Sequence, residues 1–466
     1  MKLDLRVDFE SFSIENLLSV LNGKLQGSLS MPIQGVCLDS RILLPGDLFF
    51  AIHGERDGHE FVDKALEKGA CAVVVDHSVD VEGPSILVEN TLKALHSLAH
   101  AWRIQWGNQD QSRKVIGISG SSGKTTTKEM LGYLLGPQAH ISPGSWNNHL
   151  GVPLTLLSLT SKDRWAVIEM GMNHYGELFA LSKMARPDVA ALTNIGRAHL
   201  EFFGSIENIA KAKKELFDAL PSSSCAVIRM DDPLLRAMAS ALPSQKILIS
   251  RQEAADLAMR HVMMNSEGFS FDLYEKENDS STSFQTNLRA FHQMDNLLVC
   301  LGILKALGMN VEKQPSRLMF PTVSQRFEIF ASSRGYFFVD DSYNANPDST
   351  RASLRQAQSM KKKRLIFVFG EMGELGEKSP DEHQKLANEL IDFGVDQLYY
   401  AGNHSQSIQK GFLDSGKDSS SLHIHSDKES LIKELEQDLQ EGDLVLIKAS
   451  NMMGYSKIVQ SLKERG

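Results

Sequence analysis

Lys114-Val115-Ile116-Gly117-Ile118-Ser119-Gly120-Ser121-Ser122-Gly123-Lys124-Thr125-Thr126 is the stretch whose reading decides the fold. Its first six residues read as a strand that feeds a glycine loop, and a helical pattern follows. Glycine at Gly120 and Gly123 lets the backbone curl, so that the N–H groups of Ser121, Ser122 and their neighbours face phosphate oxygens at a helix N-terminus. Lys124 would neutralise phosphate charge, and the Thr125 hydroxyl, with Thr126 beside it, suits a Mg²⁺-bound phosphate. The loop is shorter than the full phosphate-binding pattern, because Ile118 stands where its first glycine would be. Its place between strand and helix nevertheless favours nucleotide binding over a structural turn.

Outward from this loop, short apolar runs alternate with amphipathic stretches, which predicts an α/β chain rather than an all-helical or all-β one. Three blocks emerge: residues 1–107, 108–324 and 325–466. In the first, 71–76 and 85–89 read as strands, and Leu92, Leu95, Ala99, Trp102 and Trp106 mark one face of a helix after Asn90. A polar stretch from Gly107 to Ser112 serves as the boundary. The second block adds strands at 165–169, 189–194 and 226–229 and a helix near 292–307, while the polar tract 275–282 reads as a surface loop or disordered tip. The third alternates strands at 337–341, 365–369, 397–401 and 444–448 with helices, as a small doubly wound domain does.

Composition narrows the function classes. A chain of 466 residues predicts two to four domains, and 49 Lys plus Arg against 58 Asp plus Glu give a net charge of 49 − 58 = −9. That balance argues against nonspecific nucleic-acid binding. No apolar run approaches the roughly 18 residues that span a bilayer. Met1 to Asp8 carries acids where a secretory signal would be continuously apolar. Cys37, Cys71, Cys225 and Cys300 form no CxxC pair, which points to buried thiols in a reducing cytoplasm.

Four further features carry chemistry. Glu169 ends a strand, where a carboxylate can complete a magnesium site or simply face solvent. His199 follows the next strand, and a lone histidine there is more often structural. Lys213 falls inside the apolar stripe of Ile206, Ile209, Ala210, Leu216, Phe217 and Leu220, so it either snorkels or is confined. A confined lysine favours its neutral amine, the form that reacts with carbon dioxide to give an anionic carbamate. Asp340-Asp341-Ser342-Tyr343-Asn344-Ala345-Asn346-Pro347-Asp348 concentrates polar groups at a strand end and suits a binding loop. The glycines of Gly370 to Gly376 do not match a dinucleotide fingerprint, leaving turn and ligand loop both open.

Together these strings resemble the Mur ligase family over nearly the whole chain. The resemblance rests on Asp39-Ser40-Arg41, Pro45 to Ala51 and Asp57-Gly58-His59; on the phosphate loop, Asn147-Asn148, Gly151 to Thr155, Glu169 to Met172, Asn194 to Gly196 and Ala198-His199; and on Asp340 to Pro347. It implies a three-domain architecture: an N-terminal UDP-substrate domain, a central ATPase-like parallel sheet and a C-terminal Rossmann-like domain. The implied reaction is ATP-dependent ligation of D-alanyl-D-alanine to UDP-N-acetylmuramoyl-tripeptide through an acyl phosphate, in peptidoglycan synthesis. By the same resemblance Lys124 holds the β- and γ-phosphates, Thr125 and Glu169 bind one Mg²⁺, and His199 with carbamylated Lys213 binds a second. His292 and Asn296 correspond to adenine contacts, and Arg326 and Asp341 to nucleotide contacts. Ser40, Arg41, Asn147, Asn148, Tyr343, Asn344 and Asn346 would serve the other substrates. A cytoplasmic monomer without membrane insertion is implied.

The chain departs from the family pattern at His149-Leu150, Gln293 and Asn451. Another Mur-type ligase, one adding the third residue, is the nearest alternative, but its Asp-Asn-Pro-Arg string is missing from the third block. A noncatalytic nucleotide-binding regulator is a further alternative, opposed by the joint presence of Lys124, Glu169, His199 and Lys213.

Overall fold

The computed structural model describes residues 13–465 apart from Ser30, Pro243, Ser244 and Glu253; the reading of Met1 to Asp8 lies outside the described residues. Three sheets follow one another along the chain. The first contains β1 (Lys24–Gln26), β2 (Gly35–Cys37), β3 (Asp47–Phe50), β4 (Ala72–Val75) and β5 (Ser85–Leu87) in the order β1-β5-β4-β3-β2. Every residue of β2, β3 and β4 is buried, as their unbroken apolar runs require when both faces are covered. The helix Thr91–Gln109 then crosses to the second sheet, its start capped by Asn90 accepting from the Lys93 amide at 2.8 Å. Trp102 and Trp106, both buried, donate their indole N–H groups to the carbonyls of Leu159 and Thr160. This helix continues through Gly107 to Gln109, past the start of the polar stretch read as a boundary; Trp106 packing on the next domain outweighs the weak helix propensity of Gly107.

The second sheet holds β6 (Lys114–Ser119), β7 (Ala139–Ile141), β8 (Trp165–Glu169), β9 (Val189–Leu192), β10 (Cys225–Arg229), β11 (Gln245–Ser250), β12 (Leu257–Met264), β13 (Phe269–Glu275), β14 (Ser280–Thr286) and β15 (Arg317–Leu318). Their order is β15-β14-β13-β12-β11-β10-β9-β6-β8-β7, parallel from β7 to β12 and antiparallel where β13 and β14 fold back. The tract 275–282 is therefore neither loop nor disordered tip. Glu275 ends β13, Ser280 starts β14, and only the four residues between them turn. Its polarity reflects one solvated face, since β14 alternates down to buried Phe284 and Thr286.

The third sheet comprises β16 (Glu328–Ala331), β17 (Phe337–Asp340), β18 (Leu365–Phe369), β19 (Gln397–Ala401), β20 (Leu422–His425) and β21 (Leu444–Lys448), ordered β16-β17-β21-β18-β19-β20. All pairs but β16–β17 are parallel. In α/β sheets ligands gather beyond the carboxyl ends of parallel strands. Those ends of β6, β8 and β9 on the second sheet face the ends of β17 and β21 on the third.

Candidate active site

At the end of β6 the chain makes its glycine turn under tight steric limits. Gly120 has φ +144°, and a Cβ there would stand 1.9 Å from Thr193 Oγ1; Gly123 has φ +80°, and its Cβ would stand 2.4 Å from Asn296 Oδ1. Backbone conformation and space both select glycine. The loop after β9 braces this turn. The Ser122 amide donates to Asn194 Oδ1 at 3.0 Å, Ser121 Oγ donates to the Gly196 carbonyl at 3.0 Å, and the Gly196 amide returns a bond to Ser121 Oγ at 2.8 Å. Lys124 opens the helix Lys124–Leu135 and folds its Nζ back to the Gly120 carbonyl at 2.9 Å. Desolvation lowers its pKa, with nearby Glu169 opposing the shift.

Glu169 closes β8 with only 1% of its surface exposed. Asn147 Nδ2 donates to its Oε1 at 2.8 Å, while Oε2 has no hydrogen-bond partner. An orphaned carboxylate oxygen in a buried position costs free energy unless a cation is received there. Lys128 Nζ stands 3.9 Å from Oε2 and donates to the carbonyls of Ser142 and Gly144 at 2.6 and 2.5 Å. Lys128 was not singled out in the sequence. It sits one helical turn after Lys124, and that spacing was the available signal.

His199 adopts φ +62°, in the left-handed region unusual for a histidine. Its Nδ1 lies 2.7 Å from Glu374 Oε2, from the loop after β18 that the sequence left undecided. Lys213, in the helix Ile206–Asp218, is 1% exposed, so it is confined rather than snorkelling. Desolvation, reinforced by the charge of Lys124, holds its pKa well below the usual lysine range, and Glu374 opposes this. The same carboxylate, Glu374, thus faces His199, Lys124 and Lys213.

From the turn before β16, Arg326 Nη2 donates to Thr125 Oγ1 at 3.1 Å, and its guanidinium lies 3.6 Å above the Tyr343 ring. Tyr343 in turn meets Ser145 through a hydroxyl–hydroxyl hydrogen bond. Asp341 is paired with Lys448, whose Nζ also donates to the Asn344 carbonyl at 3.1 Å. Asn346 Oδ1 accepts from the Ser349 amide at 2.9 Å and caps the helix Pro347–Met360. From that helix's first turn, Asp348 accepts from the Arg197 amide at 2.7 Å, joining the second and third domains. His292 meets Phe327 edge-on, with centroids 5.6 Å apart, and burial lowers its pKa.

Most of these groups line one cavity of about 400 Å³ between the second and third domains. It holds Ser121, Ser122, Gly123, Lys124, Thr125, Thr126, Asn147, Glu169, His199, His292, Asn296, Arg326, Asp341, Tyr343, Asn344 and Asn346. Gly120, Lys128, Lys213 and Glu374 are not among its lining residues. Asn148 does not line it: its Oδ1 accepts from the amides of Leu150 and Gly151 at 3.1 and 2.9 Å, the role of a helix cap. Ser40 and Arg41 are in the first domain, away from this cavity, with Arg41 forked onto Asp39 at 2.7 to 3.1 Å. Gln293 spends its Oε1 on the amides of Arg289 and Ala290, at 2.9 and 3.1 Å, so the unusual residue fastens the start of the helix Phe291–Ala306. The His149 carbonyl accepts from His96 at 2.6 Å, and Asn451 is exposed beyond β21.

Comparison with known proteins places this geometry among relatives. Residues 118–304 match the model of the Mur ligase middle domain, 325–451 that of the Mur ligase glutamate ligase domain, and 32–104 that of the Mur ligase family catalytic domain. The chain is 32% identical over 462 residues to the UDP-N-acetylmuramoyl-tripeptide–D-alanyl-D-alanine ligase of Bacillus subtilis, covering 97% of this chain and 98% of that protein. It is 32% identical to the ligase of the same name from Escherichia coli, covering 98% and 99%. A crystal structure of MurF from Acinetobacter baumannii superposes with a TM-score of 0.86 at 28% identity, covering 97% of this chain and 98% of that one. MurF ligase from Thermotoga maritima in complex with ADP gives 0.80 at 28% identity, covering 95% and 100%.

Proposed function

The chain belongs to the Mur ligase family, and on that premise we infer its reaction: it is an ATP-dependent ligase that joins D-alanyl-D-alanine to UDP-N-acetylmuramoyl-tripeptide, giving the pentapeptide precursor of peptidoglycan. The observation that carries this reading is the shared cavity, where a phosphate loop on one domain meets Arg326 and Asp341 from the next.

In the first step a terminal carboxylate oxygen of the tripeptide attacks the γ-phosphorus of ATP, and the bond from that phosphorus to the ADP oxygen breaks. The resulting acyl phosphate is then attacked at its carbonyl carbon by the neutral amine of D-alanyl-D-alanine. A tetrahedral intermediate collapses with loss of phosphate, and the amine proton leaves to solvent. Such chemistry depends on alignment and charge neutralisation rather than on a protein nucleophile.

We assign the phosphate loop and Lys124 to the β- and γ-phosphates. A bound triphosphate would restore the full charge of Lys124 that desolvation disfavours. His292 and Asn296 face the base, Arg326 and Asp341 hold the nucleotide from the third domain, and Tyr343, Asn344 and Asn346 shape the acceptor side. Asn147 acts by holding Glu169. Ser40 and Arg41 serve the UDP end from the first domain.

The oxygen donors Thr125 and Glu169, with Oε2 of Glu169 lacking a hydrogen-bond partner, fit Mg²⁺. His199 and Lys213 fit a second ion once Lys213 carries a carbamate, because an uncharged amine is a poor magnesium ligand and a carbamate offers oxygens. Magnesium would supply electrostatic stabilisation of the transferring phosphoryl group. We assign the domains to 1–107, 108–324 and 325–466, and place the enzyme in the cytoplasm as a monomer. Among the described residues no helix is long and apolar enough to cross a membrane.

The test is ADP release in a substrate panel. Release is expected only when Mg²⁺, ATP, the UDP-tripeptide and D-alanyl-D-alanine are all present. If a single free amino acid serves better than the dipeptide, the acceptor assignment fails.

A further inference from the structure

The helix that follows the phosphate loop carries a lysine that no step of the ligation uses. Lys128 lies one turn beyond Lys124, its side chain wholly buried beside the Glu169 carboxylate. A buried ammonium needs an acceptor for each of its three N–H groups. Three are present: the Ser142 carbonyl at 2.6 Å, the Gly144 carbonyl at 2.5 Å and Glu129 Oε1 at 3.1 Å. With its donors engaged there, Nζ stops 3.9 Å from Glu169 Oε2, beyond hydrogen-bond reach.

The two carbonyls belong to the loop after β7, which grips Glu169 at three points. Ser142 Oγ accepts from the Glu169 amide at 3.0 Å, the Asn147 carbonyl accepts from the Gly171 amide at 2.7 Å, and Asn147 Nδ2 donates to Glu169 Oε1 at 2.8 Å. Ser145 of the same loop meets Tyr343 of the third domain. Between its ends the loop is irregular, with Gly144 exposed at φ +51°, and Lys128 reaches up from the helix to hold the Ser142 and Gly144 carbonyls together.

We propose that Lys128 is a positioning residue for Glu169: it anchors the loop 142–147, and through Asn147 it leaves Oε2 of Glu169 aimed at Mg²⁺. The inference rests on the assignment of Glu169 to that ion. The two carboxylate oxygens are thereby divided. Asn147 takes Oε1, and Oε2 has no hydrogen-bond partner because Lys128 is engaged by its own acceptors. A lysine acting by charge alone has the opposite effect. A cation 3.9 Å from Glu169 opposes a second cation at the same oxygen, so its removal would strengthen Mg²⁺ binding. Removal of an anchor instead frees the loop, releases Asn147 from Glu169 and weakens binding, as loss of a group that orients a metal ligand does.

The experiment measures Mn²⁺ binding to the full chain with ADP by electron paramagnetic resonance, a readout independent of turnover; Mn²⁺ shares the oxygen preference of Mg²⁺. Lys128→Met, which keeps the apolar stem and removes the charge, should raise the Mn²⁺ dissociation constant about tenfold or more. Asn147→Ala, a change at a half-buried side chain, should reproduce that loss with Lys128 in place, and the two changes combined should weaken binding no further than either alone. Tighter binding in Lys128→Met, unchanged binding with only a lower melting temperature, or losses that add in the double variant overturn the proposal. Should Lys128→Met fail to fold, unchanged Mn²⁺ binding in Asn147→Ala overturns it equally. Glu169→Gln separates the inference from its premise. Binding lost in Glu169→Gln but kept in Lys128→Met rejects the positioning role alone, whereas wild-type binding in Glu169→Gln rejects the assignment of Glu169 to the ion and the inference with it.

Discussion

Replacing Gly123 by alanine tests how tightly the phosphate loop is seated. The backbone there is at φ +80°, a left-handed conformation that costs an L-residue about 1–2 kcal/mol. The new Cβ would also stand 2.4 Å from Asn296 Oδ1 and 3.0 Å from its Nδ2, and Asn296 is only 6% exposed, so it has little room to retreat. Overpacking of this kind adds about 1–3 kcal/mol. Gly123→Ala is therefore expected to destabilise the second domain by about 2–5 kcal/mol, at roughly 2–4 °C per kcal/mol for a domain of that size. The two contributions are separable. Placed in an Asn296→Ala background, the same substitution should cost only the conformational part, about 1–2 kcal/mol, because the clashing amide is gone. The assay is thermal unfolding of all four members of the cycle, with and without ADP. An additive cycle, or a Gly123→Ala melting curve superimposable on wild type, would refute the steric argument.

Three other substitutions probe the site and its frame. Lys124→Ala should abolish ADP release while leaving the melting temperature within a few degrees; full turnover in that variant would remove Lys124 from the phosphate role. Lys213→Arg, which keeps a cation but cannot form the carbamate, should lose turnover, whereas intact-mass spectrometry of wild type under bicarbonate should detect one added carbon dioxide that the variant lacks. Turnover retained by Lys213→Arg would count against the carbamate. Burial lowers the His383 pKa to about 4, and the unfolded chain, near 6.5, takes up its proton first as pH falls. This histidine's contribution to stability is thus intact above about pH 6.5 and is lost as the pH drops from there toward 4, by about 2 kcal/mol between pH 7 and 5. Its neutral Nε2 accepts from the Met372 amide at 3.1 Å, which a protonated ring could not do. Denaturant titrations of wild type and His383→Gln at the two pH values measure the difference, and an equal loss in both would dismiss this assignment.

Much of the fold could be read from local pattern because β-strands buried on both faces announce themselves as short apolar runs, as 365–369 and 444–448 do. The failures occurred where tertiary packing reverses local preference. Gly107 is helical because Trp106 beside it is buried against the second domain, and the polar tract after Glu275 is a hairpin because its exposed face can be polar without ceasing to be a strand. In the site, Lys213 was legible through helical periodicity, which placed a charge on an apolar face; burial then lowers its pKa, as that placement requires. Lys128 obeys the same periodicity but escaped notice beside Lys124, and Glu374 lies in the Gly370 to Gly376 loop that the sequence left open between turn and ligand loop. Its value lies in the 2.7 Å approach to His199 and in the charges of Lys124 and Lys213, which lower its pKa, and these come together where the third domain docks on the second. That docking is also what a ligase needs. Among the cavity's cations, Lys124 comes from the second domain and Arg326 from the start of the third, and Arg326 reaches across to Thr125 Oγ1. Separating the domains would leave Thr125 free and both cations facing water, where they attract phosphate weakly. Docking of the two domains thus sets the completed group of charges in one low-dielectric cavity, the condition under which a water-sensitive acyl phosphate would survive.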